Sequence, residues 1–146
     1  MTFADQICDH QRRCRPHLLR LRGLARGEAG TALPRQVTAE VRDATNAIIA
    51  EAEAAGRAAL AAMAGSRRQP EAETFLWVRL TRLAGAADEA VDAARAADAS
   101  GLRCHLGRFD ALTAAIWTVQ HDVYVQAPLR QTPPAAPSPA IRVIVS

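Results

Sequence analysis

Several residue types that mark whole classes of protein are rare or missing in this chain. Its 146 residues include no lysine, two tryptophans, one tyrosine and only three cysteines. Three cysteines cannot all pair within one chain, which predicts reduced thiols rather than a disulfide scaffold. No apolar run approaches the roughly 20 residues that a membrane-spanning helix needs, and the first residues do not resemble a secretion signal. We therefore expect a cytoplasmic protein that does not enter a membrane.

The common catalytic motifs are missing as well. The chain has no glycine-rich phosphate loop, no nucleophile elbow and no Cys-x-x-Cys pair. A di-iron carboxylate bundle needs Glu-x-x-His pairs on two helices, and the sequence contains none. We therefore favour a function without catalysis, although the sequence does not decide the question, and we predict no cofactor.

Alanine and arginine dominate what is present. Alanine fills 33 positions and all 18 basic residues are arginine, a bias that resembles the composition of proteins from high-GC actinobacteria. The net charge of +3 is unevenly distributed, because residues 1–35 carry +4 and the remainder carries −1. At 49% hydrophobic residues, a chain of this length has enough apolar surface for one core.

Apolar residues recur at three- and four-residue steps in three long segments, residues 3–26, 34–64 and 71–124. This period predicts amphipathic helices. Ser100 and Gly101 form the expected break in the third segment, with Ser100 capping the helix that follows. Pro16 lies inside the first segment and predicts a kink there. Four helices with short connections favour an all-α, antiparallel up-down four-helix bundle over residues 1–126.

Each predicted helix has one apolar stripe that should face the core. In chain order the four stripes are Phe3, Ile7, His10, Cys14, His17, Leu21 and Leu24; Val37, Val41, Ala44, Ile48, Ala52, Ala55, Ala59 and Ala62; Leu76, Leu80, Leu83, Ala87, Ala90, Ala94 and Ala97; and His105, Phe109, Leu112, Ile116, Val119 and Val123. Ile49, Gly56 and Leu60 widen the second stripe. That wider face predicts contact with a further helix or with a second copy of the chain, as in a homo-oligomer.

The end of the chain differs from the rest. Residues 127–140 contain five prolines among alanine and small polar residues, a composition typical of an extended linker. Residues 141–146 form a short, β-prone apolar peptide. Such a peptide can add a strand to the sheet edge of a partner protein, with pockets for Ile141, Val143 and Val145. The alternative is that it packs in a groove of its own bundle.

This layout is similar to that of cargo proteins of encapsulin shells, in which a helical domain is followed by a flexible linker and a short apolar targeting peptide. The resemblance covers residues 128–146 only. The glycine- and leucine-containing signature of those peptides is absent here. The resemblance implies a protein shell as one kind of partner, beside a sheet edge or a groove.

Two further clusters lie on the first predicted helix. Arg12, Arg15, Arg22 and Arg26 share the face opposite the stripe, which predicts a surface that could neutralise nucleic-acid phosphates. A solvated arginine face is the plainer interpretation.

The second cluster comprises His10, Cys14 and His17, which project from the stripe itself. Imidazole and thiolate ligands suit zinc or copper, so this cluster predicts a metal or small-ligand site. Core histidines beside an inert buried cysteine are the plainer interpretation.

The function we predict is that of a non-enzymatic interaction or accessory protein that docks a partner protein through residues 141–146. A nucleic-acid-associated regulator and a metal- or ligand-binding bundle are the alternatives.

Overall fold

Four α-helices make up the described part of the chain. The computed structural model describes the backbone of residues 3–131 and the side chains of residues 5–120. The helices are α1 (Phe3–Ala25), α2 (Pro34–Ala62), α3 (Gln69–Arg95) and α4 (Ala99–Gln131). Residues 3–131 contain no strand, which confirms the all-α prediction for them. Among these residues, no helix is both long and apolar enough to cross a membrane.

The four helices share one core. α2 packs against α1 and α3, and α4 packs against the same two helices. α2 and α4 also contact each other across the middle, whereas α1 and α3 do not meet within residues 3–131. Buried residues of all four helices form one continuous apolar cluster. The single core expected from the chain length is therefore present.

Prolines mark the starts of two helices. Pro34 begins α2 and Pro70 lies in the first turn of α3, where a missing N–H costs no intrahelical hydrogen bond. The N–H of Leu33, just before α2, donates to Oε1 of Gln36 at 2.9 Å. Pro16, in contrast, lies inside α1. One helix continues through it, as expected, and not two.

Wherever their side chains are described, the predicted stripes of α1, α2 and α3 lie on the core side of their helices, apart from Ala97, which falls after the end of α3. All eight stripe residues of α2 are buried, and Thr38, Thr45 and Gly56 are buried beside them. Ile7, Cys14, Leu21 and Leu24 are buried in α1, while its two stripe histidines are half-buried. The apolar period therefore identified the packing faces of these three helices correctly.

The stripe predicted for α4 was wrong by one residue at every second position, because the buried residue is the one that follows the predicted residue. Phe109 and Ile116 are buried as expected, but the stripe continues through Leu102, Leu106, Thr113 and Gln120, whereas His105, Leu112 and Val119 are only half-buried. Thr113 and Gln120 are polar and were passed over for apolar neighbours, whereas Leu106 was passed over for His105. The hydroxyl of Thr113 donates to the carbonyl of Phe109 at 2.8 Å, so its polar group is satisfied without water.

The turn between α3 and α4 lies earlier than predicted. α3 ends at Arg95 and α4 begins at Ala99, so Ala97 lies in the turn and not in the core stripe. Ala97 adopts a left-handed backbone with φ of 56°. Its N–H donates to Ala94 O at 3.1 Å, and that of Asp98 donates to Ala93 O at 2.9 Å. These bonds are those of a Schellman motif, in which glycine is the usual left-handed residue.

The cap of α4 is Asp98 and not Ser100. Oδ1 of Asp98 accepts the N–H of Gly101 at 2.9 Å, which satisfies one of the unpaired donors at a helix start. Ser100 instead lies inside the first turn. Serine and aspartate are both favourable at the N-cap position. Because the turn lies early, Asp98 occupies that position.

The described part of α4 is longer than expected. The helix continues to Gln131 and includes Pro128, although the change in composition after Tyr124 predicted its end. A proline removes one hydrogen bond from a helix but does not always end it. Residues 132–146, including the terminal peptide with Ile141, Val143 and Val145, lie outside the described residues.

Candidate functional site

The predicted metal cluster lies between α1 and α2. Nδ1 of His10 is 2.7 Å from Oε1 of Glu51. Nε of Arg13 donates to both oxygens of the same carboxylate, at 3.1 and 3.2 Å. Burial alone would raise the pKa of Glu51, but the hydrogen bonds from His10 and Arg13 outweigh it and leave that pKa lowered. Glu51 is therefore a carboxylate that ties α2 to two residues of α1.

Cys14 sits beside this group as a protonated thiol. The residue is fully buried, and its Sγ lies 4.0 Å from Ile48 O, to which it donates. Burial raises the pKa of Cys14 to about 12, and the negative charge of Glu51 adds to the effect. Zinc and copper bind the thiolate form, which is strongly disfavoured here.

His17, the third member of the predicted cluster, is half-buried. The side chains of residues 5–120 include no group of three or more His, Cys, Asp or Glu placed to hold a metal ion. This arrangement supports a structural role, in which Glu51 joins α1 to α2. Cys14 packs in the core like an apolar residue.

Most arginines of the predicted arginine face of α1 are paired with carboxylates. Three of its four arginines form ion pairs: Arg12 with Asp9, Arg22 with Asp110 and Arg26 with Glu28. The pair between Arg22 and Asp110 is bidentate, at 2.7 and 3.0 Å, and it joins α1 to α4. The hydrogen bonds that Arg22 donates to the carboxylate of Asp110 also raise the pKa of Arg22.

Arg15, the fourth member of the face, has no ion pair among the described residues. The described part of this face therefore offers a phosphate backbone one arginine without a carboxylate partner.

Sequence analysis missed an exposed apolar group on α3. Phe75, Trp77 and Val78 are 50%, 36% and 42% exposed, and we call these three residues the α3 apolar group. Each aromatic ring makes a cation–π contact. The guanidinium of Arg79 lies 5.3 Å from the ring centre of Phe75, and that of Arg57 lies 5.0 Å from the ring centre of Trp77. All three residues lie off the stripe of α3, and this offset was the signal that could have revealed them.

A small, partly open cavity lies among α2, α3 and α4. It has a volume of about 30 Å³, and Gly56, Leu76 and Gln120 contribute to its wall. Gln120 is 3% exposed. Its Nε2 donates to the carbonyl of Ala52 at 2.7 Å, while its Oε1 has no hydrogen-bond partner. Because a water needs two or more polar partners to occupy a cavity, this mostly apolar space is poorly suited to one.

The comparisons with known proteins identified no relative. No protein-family model matches the chain, and the comparisons with curated proteins and with solved structures found no match.

Proposed function

We propose that this protein is a non-enzymatic interaction or accessory protein that docks a partner protein. The observation that carries this proposal is the α3 apolar group. Phe75 and Val78, about one turn apart, are exposed on one side of α3, and Trp77 is exposed on another side; aromatic residues with arginine are enriched where proteins meet. Single exposed apolar residues are common on any protein, whereas Phe75 and Val78 are neighbours on one exposed face of α3, which supports an interaction surface there.

The docking element of this proposal remains the terminal peptide, residues 141–146. Its alternating apolar residues suit the edge of a partner's sheet or a groove in a protein shell. The α3 apolar group would then supply a second contact on the helical part. The three cysteines are free thiols, which supports the proposed cytoplasmic location.

We also propose that the helices form an antiparallel up-down bundle. Two side-chain contacts support this arrangement for α1 and α2, because His10 contacts Glu51 while the later Arg20 pairs with the earlier Glu40. Arg108 of α4 pairs with Glu89 of α3, as neighbouring helices of such a bundle would allow. A homo-oligomer through α2 is less well supported, because Gly56 faces Leu76 of the same chain.

The test compares immobilised variants for capture of a partner from the cells that make the protein. We expect deletion of residues 141–146, and the single change Val143→Asp, to abolish capture without altering the melting temperature. Phe75→Ser with Val78→Ser should weaken capture, because both side chains are exposed and their loss leaves the core intact. Leu19→Ser is the matched control, since Leu19 is 53% exposed on another helix.

Equal capture by all of these variants would contradict the proposal. A lower melting temperature on deleting residues 141–146 would show instead that the peptide packs on its own bundle. The truncation point matters, because α4 extends to Gln131. A chain ending at Gln126 would remove part of a helix as well as the peptide.

The nucleic-acid alternative is tested by the salt dependence of DNA binding. Binding through the arginine face would weaken steeply as salt rises. Among single changes in this face, Arg15→Gln should weaken it most, because the other three arginines already have carboxylate partners.

A further inference from the structure

A second, larger cavity lies where the α1–α2 and α3–α4 connections meet. Its volume is about 360 Å³, which falls within the roughly 300–1,000 Å³ of small-molecule sites. Both connections and the adjoining ends of all four helices contribute to its wall. This cavity is distant in sequence from the His10 cluster and shares no residue with the α3 apolar group.

The inner wall of the cavity is apolar. Leu24, Val37 and Leu102 line it from three different helices, and each is buried with 8% of its surface exposed. The remaining wall consists mainly of alanine and glycine. Such short side chains leave the space unfilled, so the core at this end of the helices remains open to a ligand of moderate size.

Two arginines give the rim its charge. Arg26 and Arg103 both line the cavity. Arg26 already pairs with Glu28 at 2.9 Å, whereas exposed Arg103 has no ion pair within the described residues. Asp98 is the only acid in this wall, and its Oδ1 is occupied in capping α4.

These observations define the chemistry of a fitting ligand. The cavity offers an unpaired guanidinium beside an apolar interior. A guanidinium binds carboxylate in a planar, bidentate manner. We propose that this cavity binds a small amphipathic carboxylate, with its apolar chain among Leu24, Val37 and Leu102 and its carboxylate on Arg103.

The test titrates the full chain with octanoate, octanol and inorganic phosphate by calorimetry. Octanoate should bind at one saturable site and raise the melting temperature, because a ligand that binds only the folded state stabilises it. Octanol should bind about tenfold more weakly, since it lacks the charge-assisted bonds to arginine. Inorganic phosphate should show no comparable binding, because it has no apolar part.

Substitutions in the rim and in the wall, with one control, connect this binding to the cavity. Arg103→Gln should reduce the affinity for octanoate about tenfold and leave octanol unchanged. Arg42→Gln, which removes the same charge from an exposed position on α2, is the control and should change neither. Ala32→Phe should fill the cavity and remove binding of both compounds. Ala25→Leu replaces it if circular dichroism shows that the phenylalanine variant is unfolded.

Several outcomes would overturn the proposal. Absence of saturable octanoate binding would do so, as would equal octanoate affinity for wild type and Arg103→Gln. Undiminished binding by a folded cavity-filling variant would locate the ligand elsewhere. Phosphate binding as tight as that of octanoate would show that the apolar wall plays no part.

Discussion

Gly56 allows α2 and α3 to approach closely, and this approach can be tested by adding one methyl group. A Cβ at Gly56 would lie 2.6 Å from both Cδ1 and Cδ2 of Leu76 and 3.1 Å from Nε2 of Gln120. Carbon atoms in contact are normally about 3.5–4.0 Å apart. In Gly56→Ala, Leu76 must therefore move by about 1 Å.

Two opposing effects determine the size of the change. Replacing glycine by alanine inside a helix stabilises a protein by about 0.5–1 kcal/mol. Overpacking a filled core costs about 1–3 kcal/mol. The new Cβ would meet both δ carbons of Leu76 at once, so turning one methyl group aside does not relieve the contact. We therefore expect Gly56→Ala to lower the free energy of unfolding by about 0.5–2 kcal/mol.

Two other helical glycines are matched controls. A Cβ at Gly85 or at Gly107 would meet no atom within 4 Å, and both residues are exposed within helices. Each alanine variant should gain about 0.5–1 kcal/mol, because only the helix propensity changes. Urea denaturation of the three variants measures these differences directly.

A double mutant identifies Leu76 as the cause. Once Leu76→Ala has removed the δ carbons, Gly56→Ala should stabilise the protein by about 0.5–1 kcal/mol, as at the control positions. The coupling energy between the two sites should then be about 1–3 kcal/mol. If Gly56→Ala in the wild-type background stabilised the protein as much as Gly85→Ala, the close packing of α2 on α3 would be disproved.

Three other predictions follow from single residues. Ala97→Gly should raise the free energy of unfolding by about 1 kcal/mol, because alanine is strained at a positive φ; an unchanged or lower value in urea denaturation would contradict the left-handed turn. Glu51→Gln should flatten the acid limb of the stability curve. The lowered pKa of Glu51 means that its stabilisation is complete above its usual value of 4.5 and is lost as pH falls through the lowered one. Iodoacetamide at pH 8 should label two cysteines in the folded protein and three in denaturant, because buried Cys14 has a pKa of about 12; labelling of Cys14 in the folded protein would refute its inertness.

The helices were predictable because their pattern is local. A buried stripe follows from which residues of one helix are apolar, and the stripes of α2 and of most of α3 required nothing else. The stripe predicted for α4 was wrong at Thr113, whose hydroxyl is satisfied within the same helix by the carbonyl of Phe109, and at Gln120 for a reason that no local pattern contains. Gln120 is buried because a carbonyl of α2 accepts its amide, and that partner is 68 residues away.

The candidate sites were less predictable, because their chemistry depends on which residues of other helices come near. The spacing of His10, Cys14 and His17 fits a metal site when α1 is considered alone. In the folded chain, Glu51 of α2 takes the first histidine, and the surrounding core keeps the thiol protonated. His10, Cys14 and His17 do share one side of α1, but α2 determines the environment of that side.

Charge gives the same lesson for the nucleic-acid hypothesis. Residues 1–35 carry +4, but this excess lies along the sequence and not on one surface. Folding brings Glu51 and Glu40 of α2 and Asp110 of α4 to the arginines of α1. Because acids from the rest of the chain lie on the basic segment, its charge is partly neutralised at close range. Arg15 and Arg103 lack such a partner among the described residues. Arg15 is therefore the position to change in the test of DNA binding, and Arg103 is the position to change in the test of carboxylate binding.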